Sequence, residues 1–211
     1  MKKLLIIGAR GFGREIYNTA TGAIGYGTDF QIKGFLDDKV DALDGYPNYP
    51  PIIDSVEHYQ PQNDDVFICA LGDVNYKKKY VDIIESKSGA FISLIHKTAL
   101  IHKNTVIEAG CIIGYYANVS CDVKIGKYVT IQPFSEIGHD AVIGDFCHLN
   151  TYSFMGGYAK LGKMVTVHTG AKVLPHFEVG SNTVVGAGSV ITRNIPSDVT
   201  TFIQPAKFIK I

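Results

Sequence analysis

From Ile95 to Ile191 every sixth residue is aliphatic, seventeen in succession with no insertion. The column runs Ile95, Ile101, Ile107, Ile113, Val119, Ile125, Ile131, Ile137, Ile143, Leu149, Met155, Leu161, Val167, Val173, Val179, Val185, Ile191. A period of six drifts around a helix of 3.6 residues per turn, so no helix keeps this column on one face. A six-residue unit cannot bury its own apolar side chain, and successive units must therefore stack into a parallel β-solenoid. With three units to a coil, the segment makes about five coils, roughly 25 Å tall at ~4.8 Å per coil.

Two further columns keep the same register. Four residues after each aliphatic position stands a small or β-branched residue, as at Ala99, Cys111, Ala117, Val129, Ser135, Ala141 and Cys147, with Phe177 the one bulky exception. Glycine follows the aliphatic position directly at Gly114, Gly126, Gly138, Gly144, Gly156, Gly162, Gly180 and Gly186. These glycines are expected where the chain turns with positive φ.

Residues 1–90 lack the repeat and read as alternating strand and helix. "KLLIIGA" is an apolar run ending in glycine, "GFGREIYNTA" opens a helix, and "IKGFLDD" is a second strand ending in paired acids. "DVFICALG" is a third strand, followed by the amphipathic "VNYKKKYVDIIE". This order predicts a small Rossmann-like α/β domain with a parallel sheet and ligand loops at the strands' carboxyl ends. In "GARGFG", Arg10 stands where a dinucleotide fingerprint needs its second glycine, which argues against NAD. The expected organisation is 1–90 for this domain, 91–195 for the solenoid and 196–211 for a tail.

The 20 basic residues balance the 20 acidic ones, which argues against a broad nucleic-acid footprint. "LLIIGA" is too short for a signal h-region and reads as a buried strand, and no later stretch approaches the ~18 apolar residues of a membrane span. Cys69, Cys111, Cys121 and Cys147 show no CxxC pairing and sit in strand-like contexts, which fits a reducing cytoplasm.

The repeat resembles the hexapeptide-repeat acyltransferases, which implies a left-handed β-helix assembled as a homotrimer. The whole chain is similar to the bacterial sialic acid O-acetyltransferase and UDP-4-amino-sugar N-acetyltransferase family. The residues carrying that likeness are "GARGFG", "FLDD", "ALGDVNYKK", "LIHKTALIH" and "GHDAVIGDFCH". The resemblance implies acetyl transfer from acetyl-CoA to a sugar or nucleotide-sugar in cell-surface glycan biosynthesis. It implies acceptor roles for Arg10, Gly11, Phe12, Asp37, Asp38 and Gly72. The family usually carries histidine where this chain has Phe12, a departure that bears on how the acceptor is held.

His139 follows Gly138 and precedes Asp140, and Gly157 lies 18 residues further on, one coil above. An imidazole, an adjacent carboxylate and a glycine amide one rung away suit acyl transfer: base, orienting acid and oxyanion donor. The resemblance gives the same assignment: His139 as base and Asp140 as its partner. It also implies acetyl-CoA contacts at His148, Gly157, Thr169, Ala187 and Lys207, the last in "FIQPAKFIK", where Ile203 replaces the family's glycine. Gln132 is the polar residue expected to face the acceptor. Since the prism alone has no deep pocket, the site is expected between subunits.

Two other readings stay open. A non-catalytic trimeric nucleotide-sugar scaffold would keep the shape without the chemistry. A gamma-type carbonic anhydrase would need a zinc-binding histidine pair two coils apart, but His102 and His139 are 37 residues apart rather than 36, so no metal is expected.

Overall fold

A computed structural model of the chain describes residues 1–203. Its first part is a five-stranded parallel sheet in the order β3-β2-β1-β4-β5, built from β1 (Lys2–Ile7), β2 (Phe30–Leu36), β3 (Ile52–Asp54), β4 (Asp65–Cys69) and β5 (Ala90–Phe91). The short edge strands β3 and β5 have no signal in the sequence, being three and two residues long. Helix α1 (Gly11–Thr21) follows β1, and α2 (Val74–Ser86) follows β4. Asp73 starts α2 by accepting from the Asn75 and Tyr76 amides at 2.8 and 3.0 Å. Its buried stripe is Val74, Lys77, Val81 and Ile84, so one lysine of the "KKK" run faces inward.

The second part is a triangular solenoid of two-residue parallel strands. Its first face runs from Leu94–Ile95 through Ile112–Ile113, Thr130–Ile131, His148–Leu149 and upward; the second starts at Leu100–Ile101 and the third at Val106–Ile107. Every strand pairs with the residues 18 further on, as Thr130 with His148 and Ile131 with Leu149. The faces hold seven, six and five strands, so two of them exceed the expected five rungs. The aliphatic column fills the interior, with Ile113, Val119, Ile131, Ile137, Leu149 and Met155 fully buried. The small column, Cys111, Ala117, Ser135, Ala141 and Cys147, packs beside it at the corners.

One expectation is corrected by the backbone. The glycines directly after the aliphatic column do not have positive φ; the left-handed residue comes two positions later, at every sixth residue from Asn104 to Gly188. Twelve of these fifteen are not glycine, among them Tyr116, Tyr128, Phe134, Asp140, Tyr152 and Tyr158. Side chains there cost about 1 kcal/mol each, and stacking along the corner offsets it: Phe134 on Tyr152 at 5.2 Å and Tyr128 on Phe146 at 4.8 Å. The directly following glycines are needed for close approach instead. A Cβ on Gly138 would stand 2.5 Å from the Gly157 nitrogen of the next coil.

The two parts share a core. Leu94 and Ile112, on the outside of the first face, are buried among Leu4, Ile6, Ile16 and Ala20. Higher on that face α2 takes over. Lys77 Nζ donates to Thr130 Oγ1 at 2.7 Å and to the Tyr128 carbonyl at 3.3 Å, while the Tyr128 hydroxyl bonds Glu85. The outward residues Thr130 and His148 are therefore fully buried, although they lie on the solenoid's exterior.

Candidate active site

Among the described residues three features carry chemistry, and they lie on different parts of the fold. At the carboxyl ends of β1, β2 and β4 is a cleft of about 430 Å³, lined by Arg10, Phe12, Asp37, Asp38, Gly72, Tyr76 and Tyr80 among others. It brings together five of the six acceptor residues expected from the sequence. Gly11, the sixth, begins α1 beside it. Asp37 is buried, with Oδ2 accepting from the Ala9 amide at 2.8 Å and Oδ1 from the Lys39 amide at 2.9 Å, so it ties two loops together. Asp38 accepts from the Val56 amide at 3.2 Å and from the Tyr80 hydroxyl. Burial, and then the Asp38 carboxylate, push the Tyr80 phenol far above its ordinary value. Tyr76 and Tyr80 were not singled out from the sequence; their i, i+4 spacing on α2 was the available signal.

The second feature is the corner between the second and third faces. His139 Nδ1 lies 2.9 Å from Asp140 Oδ2, and both side chains are substantially exposed. Asp140 is one of the left-handed residues, φ 58°, which swings its carboxylate back toward the preceding imidazole. Gly157 lies over the ring: a Cβ there would be 2.6 Å from His139 Nε2. The Gly157 amide donates to no other group among the described residues. Tyr158 stands edge-on to His139 at 5.2 Å, and His176 stacks on Tyr158 at 5.0 Å. The tyrosine was missed because nothing in one coil reports what the next places above it.

The third feature is a narrower cleft of about 310 Å³ between α1 and the first face, lined by Phe12, Glu15, Asn18, Tyr115, Gln132 and Thr151 among others. Phe12 lines both clefts, and its ring packs on His148 at 5.4 Å. A Cβ on Gly72 would come within 4.0 Å of the same imidazole. His148 is 1% exposed, and burial pushes it well below the usual imidazole range, with the Lys77 ammonium and His168 adding to that. Gln132 Nε2 lies 3.1 Å from His148 Nε2. Thr169 and Ala187 fall one and two coils above Thr151, at the corner between the first and second faces.

The chain thus does not gather the expected residues into one pocket. His139, Asp140 and Gly157 share one corner, while His148, Gln132, Thr169 and Ala187 belong to the first face and the corner that follows it. Lys207 lies outside the described residues. No group of three or more His, Cys, Asp or Glu is placed to hold a metal ion among the described residues. No helix among them is long and apolar enough to cross a membrane.

Residues 3–84 match the PglD N-terminal domain, and 158–193 match the bacterial transferase hexapeptide (six repeats). A serine acetyltransferase of Buchnera aphidicola is 32% identical over 140 residues, which are 63% of this chain and 44% of that protein. The GDP-perosamine N-acetyltransferase of Escherichia coli O157:H7 is 26% identical over 106 residues, 50% of this chain and 40% of that protein. The matched stretches therefore span less than half the length of these curated relatives. The acetyltransferase domain of PglB from Neisseria gonorrhoeae, solved in complex with acetyl coenzyme A, superposes with a TM-score of 0.85 at 25% identity, covering 94% of this chain and 95% of that one. The likeness extends over both domains and includes the left-handed coil sense. The chain belongs to the hexapeptide-repeat family whose members carry a PglD-type N-terminal domain.

Proposed function

We propose that the protein transfers the acetyl group of acetyl-CoA to an amino group of a nucleotide-activated sugar, with His139 as general base. The observation that carries this reading is the His139–Asp140 pair beneath an unpartnered glycine amide. His139 Nε2 takes a proton from the attacking amine as its nitrogen bonds to the thioester carbonyl carbon. The Nδ1–H donates to Asp140, which orients the ring and stabilises its charged form. The Gly157 N–H steadies the oxyanion. When the tetrahedral intermediate collapses, the carbon–sulfur bond breaks and the proton passes from His139 to the CoA sulfur.

The relatives' names support the substrates. GDP-perosamine N-acetyltransferase is named for a nucleotide amino sugar, and the PglB domain was solved with acetyl coenzyme A. The cleft of about 430 Å³, walled by tyrosines and an arginine, suits a nucleotide better than a free amino acid such as serine. In glycan assembly the product is an acetamido sugar still attached to its nucleotide.

The separation of the His139 corner from the cleft supports a homotrimer in which one subunit's corner faces its neighbour's cleft and the Thr151–Thr169–Ala187 column. Acetyl-CoA then lies along that column. The test is release of free CoA thiol on incubation with acetyl-CoA and nucleotide-linked amino sugars. His139→Asn is expected to lower turnover by about 10²- to 10⁴-fold. The reading fails if no such sugar elicits thiol release, or if His139→Asn turns over like the wild type.

A further inference from the structure

The hydrogen bonds around His148 can be assigned donor by donor. Gln132 Oε1 lies 3.2 Å from the Thr151 amide nitrogen and 2.9 Å from Thr151 Oγ1. A backbone N–H can only donate, so the Gln132 atom facing it is the oxygen, whichever way the amide is drawn. The remaining Gln132 Nε2 must then donate across 3.1 Å to His148 Nε2. That nitrogen is an acceptor and carries no proton. Burial and the nearby Lys77 ammonium disfavour a second proton on the ring, so the single proton sits on Nδ1. Nδ1 is buried and has no partner among the described residues.

A fully buried donor without an acceptor is uncommon in a folded protein and costly to keep. Here it belongs to a side chain wedged at the seam of the two domains, against Phe12, the residue shared by both clefts. We propose that Thr151, acting through Gln132, is a positioning residue that holds His148 as the neutral Nδ1–H tautomer, and that this N–H is kept free to donate to an oxygen of the bound ligand. Only the ligand's identity rests on the acetyl-transfer reading. Two sources offer such an oxygen, a thioester carbonyl and a hydroxyl of the sugar nucleotide. Either reaches the ring as Phe12 shifts from it.

The experiment is a two-bond proton–nitrogen correlation spectrum of protein labelled with 15N in its histidine rings, near neutral pH, with the His148 signals assigned by their loss in His148→Gln. The expected pattern is a pyridine-type Nε2 and a protonated Nδ1. Protonation at Nε2, or at both nitrogens, overturns the proposal whether or not the protein is an enzyme. Thr151→Val is expected to shift the pattern toward Nε2–H and to lower kcat about tenfold, the worth of one hydrogen bond, with KM nearly unchanged. Thr151→Ser should restore both. An unaltered spectrum in Thr151→Val, or no rescue by serine, removes Thr151 from the role. Acetyl-CoA alone and UDP or GDP alone are then added separately. A downfield shift of the Nδ1 proton with one of them identifies the source of the oxygen, and no shift with either or with both together refutes a ligand-facing donor.

Discussion

Gly157 lies directly over His139, so close that a methyl group on it would stand 2.6 Å from Nε2 and 2.7 Å from Cε1. The contact joins residues 18 apart in sequence through one step of the solenoid, and it leaves Nε2 free of any side chain above it. Gly157→Ala is therefore expected to tilt the imidazole while the coil itself survives. A misplacement of this size costs about 10²-fold in kcat. Thiol-release kinetics beside a thermal melt check it, and an alanine variant as active as the wild type would mean that the ring position is immaterial.

Asp140 occupies a left-handed position at φ 58°, which asparagine tolerates nearly as well. Asp140→Asn thus removes the charge without disturbing the corner. Turnover should fall by about 10²-fold, with the melting temperature nearly constant, because the imidazolium formed during the reaction loses its counter-charge. Equal rates for the two proteins would assign Asp140 to the turn alone.

Lys77 is 1% exposed, and burial lowers its titration to about 8. In the unfolded chain it titrates near 10.4. Between these values the unfolded chain holds a proton that the folded chain has released, so unfolding free energy rises with pH across the window and drops back as pH falls through 8. The span is on the order of 3 kcal/mol. Urea denaturation of wild type and Lys77→Met near pH 7 and near pH 10 should show the wild type gaining on the variant at the higher pH. Parallel behaviour would place the ammonium in water.

The intersubunit arrangement has its own test. His139→Asn and Asp38→Asn proteins, each weakly active, are unfolded together, mixed in equal amounts and refolded. If each site takes its base from one subunit and its cleft from the next, about a quarter of wild-type activity returns by random assembly. No recovery would indicate that both elements act within one chain.

The cores of both domains were legible in the residues. The aliphatic column and the small column beside it predict the interior of the prism, and β1, α1, β2, β4 and α2 follow from apolar runs, glycine turns and the Asp73 cap. The His139–Asp140–Gly157 stack was also readable, since an 18-residue coil converts sequence distance into height. The turn glycines were misread because hexapeptide spacing shows where the chain bends, not which dihedral bends it. That dihedral falls on aromatic and acidic residues, while glycine answers to the coil above.

Sequence alone therefore determined whatever repeats along the solenoid axis, because a fixed period makes each residue's neighbours calculable. What crosses between the two domains was decided by tertiary packing. The burial of Lys77 out of a charged run, the orphaned Nδ1 of His148, the two clefts divided by Phe12, and the Thr151–Gln132 chain all arise where α1 and α2 meet the first face. No periodicity relates those segments, so only the complementary shapes of two independently formed surfaces fix which groups lose water and which keep it.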